Sequence, residues 1–135
     1  MMIGKTPDSI GYVEFIYAIT NKLDYGAVRN STGRFVQADL ASLQAAAEAF
    51  ESSGSHNFLL PITNAPGPDS YPIASMTYLL IPDEWAAPSK RSALLDFLSW
   101  MLTTGQKQAA SLGYAALPAP VSGKALRIVE EIRAH

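Results

Sequence analysis

The sequence predicts an α/β fold in which a few short strands are packed by helices. Two segments rich in β-branched and aromatic residues, Ile10–Val13 and Ile73–Ile81, have the composition of strands. Between them, Asn30–Gly33 has the composition of a hairpin turn. Apolar residues at helical spacing occupy much of the remaining chain. Since so few strands cannot form a whole doubly wound sheet, the predicted fold is partial.

The N-terminal part predicts a turn, a strand and a helix in succession. Thr6–Ser9 is the turn, because proline keeps the preceding residue out of the helical region and Asp and Ser bond to nearby backbone. Ile10–Val13 follows as a short buried strand. Glu14–Lys22 carries three apolar residues spaced for a short helix.

A hairpin and a capped helix come next. Tyr25–Arg29 and Arg34–Gln37 flank the turn at Asn30–Gly33, where the glycine permits a positive φ. Asp39 is the predicted N-cap of a helix that runs through Phe50. One face of this helix collects apolar residues, namely Leu40, Leu43 and Ala47.

The middle of the chain predicts a long connection and then the best strand. Ser52–Ser55 ends the preceding helix, and Phe58–Ile62 is predicted to be extended. Asn64–Ser70 is a cluster of residues that break regular structure. Ile73–Ile81 then has strand composition, and Pro82 stops it because proline cannot donate to a ladder.

Three helices are predicted in the C-terminal third. Pro88 suits the first turn of a helix through Lys90–Thr103. Its polar stripe is narrow and consists of Ser92, Asp96, Ser99 and Thr103. Apolar residues cover its other faces, so we expect it to be packed on more than one side. Gln106–Leu112 is a short helix closed by Gly113. After an extended stop at Leu117–Pro120, Val121–Arg133 is a helix with four residues inward, namely Ala125, Ile128, Val129 and Ile132.

Composition excludes several classes of function. The chain has 135 residues, of which 48% are hydrophobic and 16% charged, which is typical of a globular domain. A net charge of −2 gives no basic surface for nucleic acid. The absence of cysteine excludes disulfides, thiolate catalysis and cysteine metal sites. The N-terminal residues contain no apolar core of a secretion signal, so we expect no signal peptide within this sequence.

No segment predicts catalytic chemistry. Gly4-Lys5-Thr6 matches the end of a phosphate-binding P-loop, but Pro7 disfavours the helix that must begin there. Ser31–Arg34 offers hydroxyls and a guanidinium for an anion, yet the same residues are what a hairpin turn requires. His56 and His135 lack carboxylates at ligand spacing, so we expect no metal site. No ordered Ser, His and Asp set exists, and we therefore expect no enzyme and no cofactor.

Five segments, in the same order, resemble the substrate-binding proteins of bacterial phosphate ABC transporters. Ser9–Ala18 is similar to the family segment GxIGYVEYAYA, and Ala93–Pro118 resembles ALLKFLKWALTEGQKYAEDLGYAPLP. The other three are the helix Asp39–Phe50, the connection Pro61–Ser75 and the strand Met76–Pro82. Together they cover nearly the whole chain. In the family these segments lie in the C-terminal portion.

The resemblance implies a type II periplasmic-binding-protein-like fold, whose two lobes close on inorganic phosphate outside the cytoplasm and deliver it to an ABC permease. Residues of about 1–60 would belong to one lobe and about 61–135 to the other, with Asn64–Ser70 near the crossover. The family holds phosphate largely around a GSGTS-type loop, which precedes the part that resembles this chain. We therefore transfer no phosphate-binding residue and expect the isolated chain not to bind phosphate in the familiar way.

An alternative is a non-enzymatic interaction module that binds no small molecule. Lobes separated from the rest of their sequence would leave apolar faces exposed, above all on the helix Lys90–Thr103. Such faces predict a homo-oligomer, in which strands or helices are exchanged between copies.

Overall fold

A computed structural model describes residues 5–52, 61–82, 84–85 and 87–134. Most of its regular structure is helical, and its strands form one short hairpin. The elements in chain order are α1 (Phe15–Thr20), β1 (Val28–Arg29), β2 (Phe35–Val36), α2 (Leu40–Ser52), α3 (Pro88–Leu102), α4 (Gln106–Ala109), a 3₁₀ turn (Ala110–Leu112) and α5 (Ala119–Ala134). These helices and the small sheet are consistent with a partial α/β fold.

The predicted hairpin is confirmed, although its strands are shorter than expected. β1 and β2 are antiparallel, with Val28 opposite Val36 and Arg29 opposite Phe35. Gly33 has φ +86°, a conformation that glycine adopts without the steric cost of a Cβ. The glycine of the turn sequence is therefore where the chain needs it.

The predicted N-cap of α2 is also confirmed. The Asp39 carboxylate accepts the Ser42 backbone N–H at 2.7 Å, and the Ser42 hydroxyl accepts the Asp39 backbone N–H at 3.0 Å. This reciprocal pair satisfies donors that the first turn of a helix leaves without intrahelical partners. The start of α2 is thus fixed by two residues close together in the sequence.

A first apolar core joins α2 to the connection that follows residue 60. Its buried members are mostly small, and the partly buried ones pack around them. The buried residues are Ala46, Ile62, Ala65 and Ala74, with Leu43, Ala49 and Met76 packed against them. The Tyr71 backbone N–H donates to the Ser42 carbonyl at 3.1 Å, which fixes the connection beside the start of α2. Small side chains allow this close approach.

A second core lies between α3 and α5. Pro88 occupies the first turn of α3, as predicted, where its missing N–H costs nothing. Leu95, Leu98, Leu102 and Val129 are buried together, and Ala125 and Ile132 pack against them as expected. Ile128 was predicted to point inward, but it is exposed. One residue is about 100° around a helix, so Ile128 falls outside the stripe that contains Val129.

The prediction that α3 is packed on more than one side is met only in part within the described residues. Its buried residues form one stripe facing α5, and Ile81 and Leu117 also pack against that stripe. On another side, Phe97 is 52% exposed and Trp100 is exposed as well, their rings 5.8 Å apart. The apolar composition of α3 predicts that other segments pack on several of its faces, but α5 packs on only one of them. Large aromatic side chains therefore remain in contact with solvent.

The two strands predicted at Ile10–Val13 and Ile73–Ile81 are not formed. Ile10 and Leu80 are each 97% exposed, and neither segment pairs with another among the described residues. A strand is stable only when a neighbouring strand accepts and donates its backbone hydrogen bonds. Strand composition without a partner leaves these segments extended or irregular. Residues 58–60 of the predicted extended segment Phe58–Ile62 lie outside the described residues. Residues 53–55 of the predicted helix end at Ser52–Ser55 lie outside them as well.

The shorter predicted elements have mixed outcomes. The helix at Glu14–Lys22 is present as α1, and Gln106–Leu112 forms α4 with its 3₁₀ turn. Gly113 closes that turn with φ +79°, as predicted, and a Cβ there would overlap the Ile16 side chain. The predicted stop at Leu117–Pro120 is partly wrong, because α5 already begins at Ala119. Among the described residues, no helix combines the length and apolar character needed to cross a membrane.

Candidate functional site

The structure brings together two segments that sequence reasoning considered separately as sites. The hairpin turn Asn30–Arg34 lies against the connection Asn64–Ser70. We refer to this contact as the Asn30 junction. It joins parts of the chain that are 34–40 residues apart.

Asn30 is the centre of the junction and is only 6% exposed. Its side-chain amide nitrogen lies 3.1 Å from the Gly67 carbonyl oxygen, 3.0 Å from that of Pro68 and 3.2 Å from that of Ser70. A primary amide has two N–H groups, so the three carbonyls share two protons. Asn30 thereby holds the backbone of the facing loop in a tight curve.

The amide oxygen of Asn30 organises its own turn. It accepts hydrogen bonds from the Thr32 backbone N–H at 3.1 Å, the Thr32 hydroxyl at 2.8 Å and the Arg34 backbone N–H at 3.1 Å. Asparagine is common at the start of turns because its side chain can bond the backbone two residues later. Here the same side chain serves the local turn with its oxygen and the distant loop with its nitrogen.

The facing loop has a conformation that suits this contact. Gly67 has φ +119° and Asn64 has φ +52°, values that glycine and asparagine tolerate better than most residues. The Ser70 side chain is fully buried, and its hydroxyl donates to the Pro66 carbonyl at 2.9 Å. Tyr71 is half-buried next to the loop, and burial raises the pKa of its hydroxyl above the ordinary value of 10.0.

An ion pair lies at the outer edge of the junction. The Arg34 guanidinium is 2.9 Å from the Asp69 carboxylate, and both side chains are largely exposed. Exposed pairs of this kind contribute about 0–1 kcal/mol. The energetic centre of the junction is therefore the buried amide.

Ser31, Thr32 and Arg34 each have a hydrogen-bond partner within the junction. The Ser31 hydroxyl donates to the Ala65 carbonyl at 3.3 Å, the Thr32 hydroxyl to Asn30, and the Arg34 guanidinium to Asp69. An anion would have to displace these internal partners. The geometry thus favours the turn interpretation of Ser31–Arg34 over the anion-site interpretation, and the junction is a structural joint.

The chain is similar in sequence to several known proteins. No protein-family model matches it. It is 43% identical over 110 residues to the phosphate-binding protein PstS of Xylella fastidiosa (strain Temecula1), a match that covers 82% of this chain. It is 34% identical over 143 residues to the phosphate-binding protein PstS of Methanocaldococcus jannaschii, covering 98% of this chain. It is also 34% identical over 113 residues, 84% of this chain, to PstS of Haemophilus influenzae.

The chain is a homologue of one part of the phosphate-binding proteins. It spans about a third of the length of the curated relatives it matches, with 30%, 37% and 34% of those three proteins covered. The resemblance inferred from the five sequence segments is thereby confirmed. These identities extend over most of the chain, so they include more than the individual motifs.

Among the residues that the structure describes, the other sequence candidates of this phosphate-binding-protein homologue are not gathered into a site. The predicted turn at Thr6–Ser9 is present, and the Ser9 hydroxyl donates to the Thr6 carbonyl at 2.7 Å. Lys5 and Thr6 lie at that turn, while Gly4 is outside the described residues. His56 and His135 are also outside them. Within the described part, no three acidic or histidine side chains come together as metal ligands would.

The sequence does not predict that Asn30 is a buried centre. The sequence does predict that Asn30 begins the turn, which accounts for the hydrogen bonds that its side-chain oxygen accepts within the turn. Its three carbonyl partners are 37–40 residues away in a loop without regular structure. A pairing between two irregular segments has no periodic sequence signal, so only the fold reveals it.

Proposed function

We propose that the chain acts as one portion of a non-enzymatic phosphate-binding protein, which takes up inorganic phosphate outside the cytoplasm and passes it to an ABC permease. The observation that carries this proposal is the identity of 34–43% over most of the chain to proteins named for phosphate binding. The five matching segments, in one order, support a correspondence to the C-terminal portion of such proteins.

The proposed architecture has two lobes of the periplasmic-binding-protein kind. Residues of about 1–60 would belong to one lobe and about 61–135 to the other, and the Asn30 junction would hold the crossover loop against the first lobe. We assign no phosphate ligand to this chain. Ser31, Thr32 and Arg34 already have partners in the junction, and the family resemblance implies phosphate ligands that precede the matched portion.

The exposed surface supports packing against further polypeptide. Ile10 and Leu80 lie in the two segments that have the composition of strands but no strand partner, and each is 97% exposed. Strand partners for these segments would come from the rest of a phosphate-binding protein, which would also bury their apolar side chains.

The proposal is tested by supplying that remaining polypeptide. The chain is co-expressed with the part of the Xylella fastidiosa relative that it does not match, and phosphate binding is measured by isothermal titration. We expect a one-site isotherm for the complex, none for either piece alone, and amide-exchange protection of residues 76–81 only in the complex. A purified complex that does not bind phosphate would contradict the proposed function. A one-site micromolar isotherm for the chain alone would contradict the placement of the ligands.

We also infer that the chain in isolation forms a homo-oligomer. Phe97 and Trp100 are large, adjacent and exposed, and burying such aromatic rings in an interface is favourable. Light scattering over a hundredfold concentration range is expected to show a rising mass, and the complementing polypeptide should suppress it. A monomer at every concentration would contradict self-association. It would leave the phosphate-binding proposal intact.

A further inference from the structure

We propose that a cleft between α3 and α5 binds a small carboxylate. The cleft has a volume of about 180 Å³ and is lined by Pro88, Arg91, Ser92, Leu95 and Arg133. The first four residues lie in the first half of α3, and Arg133 lies in the last turn of α5. We refer to it as the arginine cleft. None of the sequence candidates and none of the junction residues belongs to it.

Arg91 is the first observation that points to an anion. The Arg91 residue is half-buried, and its guanidinium donates to the Ile132 backbone carbonyl. Among the described residues no carboxylate forms an ion pair with it. A guanidinium has five N–H donors, so one carbonyl leaves most of them available. A cation drawn partly out of water without a counter-ion is favoured by an anion that comes to it.

Arg133 supplies a second guanidinium on the opposite wall. It donates to the Asp96 carboxylate at 2.8 Å and lies 3.4 Å from the Ser99 hydroxyl. Asp96 is largely exposed, so it screens the charge of Arg133 only partly. Among the described residues, the two arginines and Asp96 sum to one net positive charge, which the partial negative charge at the end of α5 reduces. Ser92 adds a hydroxyl that makes no hydrogen bond within the described residues.

A purely structural role explains only part of this arrangement. Arg91 next to the end of α5 is favourable, because the last carbonyls of a helix lack partners and carry partial negative charge. That role needs one N–H of Arg91, and the contacts of Arg133 with Asp96 and Ser99 likewise tie α5 to α3. Neither role accounts for the open volume between the two arginines. A cleft lined by two arginines and a serine, with N–H donors of Arg91 left available, is therefore the feature that a ligand explains.

Size and lining define the class of ligand. Pro88 and Leu95 give the cleft an apolar floor. A volume of about 180 Å³ is below that of typical pockets for drug-sized ligands, which hold about 300–1,000 Å³. The carboxylate would face the guanidiniums, with which it can form paired charge-assisted hydrogen bonds, and a short apolar chain would lie on the floor. A carboxylic acid of a few carbon atoms has this combination of parts.

Titration with propionate tests the proposal. Backbone amide shifts of residues 89–95 are followed by NMR at constant ionic strength, with sodium chloride as the balancing salt. In the unaltered chain we expect a saturable change confined to the cleft, with propionate binding more tightly than formate because only propionate contacts the floor. Absence of saturation, or equal shifts with chloride alone, would overturn the proposal. Tighter binding of inorganic phosphate than of propionate would overturn the assignment of the ligand class.

Two substitutions locate the binding. Ser92→Asp places a carboxylate at the guanidiniums, and we expect the Kd for propionate to rise about tenfold or more. Ser89→Asp adds the same charge at an exposed position of α3 that does not line the cleft, and it should change Kd less than about twofold. Both are surface changes, so circular dichroism should show an intact fold. Equal weakening in the two variants would mean that overall charge, rather than the cleft, governs binding, and would overturn the proposal. Arg91→Gln should also abolish saturation, and retained affinity in a folded variant would overturn it.

Discussion

Replacing Leu98 with alanine is expected to destabilise the chain by about 2–5 kcal/mol, the range found for leucine truncation in a packed core. Leu98 is buried in the second core, where it packs with Leu95, Leu102 and Val129. Because α3 and α5 are joined mainly through this core, the loss should unfold them together. Urea denaturation followed by circular dichroism measures the change, with the slope of the transition compared to confirm that the same surface is exposed.

The matched control is the neighbouring residue Phe97. Phe97→Ala removes a larger side chain from the same helix, but one that is half in water. We expect a loss of at most about 1.5 kcal/mol, which includes its contact with Trp100. If Phe97→Ala costs as much as Leu98→Ala, α3 buries a different face from the one described. The comparison is made at a concentration where the chain is monomeric, since self-association would cover Phe97.

Local sequence signals predicted the helices of this chain well. The start of α2 follows from Asp39, and the start of α3 from Pro88. The end of the 3₁₀ turn follows from Gly113. In each case the determining residues lie within one helical turn of the structure that they set. Capping and positive φ are short-range effects, so they can be inferred without the fold.

The two predictions of strands at Ile10–Val13 and Ile73–Ile81 were wrong for a physical reason that does not apply to helices. A helix satisfies its backbone within one segment, whereas a strand needs a second segment beside it. Ile73–Ile81 has the residues of a strand, but Leu80 is 97% exposed and no described segment pairs with it. The composition of a segment shows that it favours a strand when a neighbouring strand is present. It does not show whether the rest of the chain provides that neighbour.

The candidate sites show the same division between local and distant information. That Asn30–Gly33 forms a turn was predicted, and the preference for a turn over an anion site at Ser31–Arg34 agrees with the geometry. That this turn meets Asn64–Ser70 was not predicted, because both are irregular. The arginine cleft was missed in the same way. Arg91 and Arg133 are 42 positions apart, and only the packing of α5 on α3 brings them together.

The Asn30 junction makes the second large prediction. Asn30→Asp is expected to destabilise the chain by about 3 kcal/mol or more at pH 7. The substitution keeps the shape of the side chain and the oxygen that accepts bonds from Thr32 and Arg34. It replaces the nitrogen that serves three carbonyls of the facing loop with a second oxygen. A buried carboxylate would then face carbonyl oxygens that have lost their donor, so the turn and the loop should separate.

Asn64→Asp is the control, because it makes the same chemical change at an exposed asparagine of the facing loop. The backbone N–H of Asn64 donates to the Pro72 carbonyl at 2.8 Å and is retained, and aspartate also tolerates the positive φ found there. We expect its effect to lie within about 0.5 kcal/mol. Urea denaturation measures both variants, and amide exchange at Ser70 reports whether the junction has opened. Equal stability of the two variants, with Ser70 still protected in Asn30→Asp, would mean that the buried amide does not hold the two segments together.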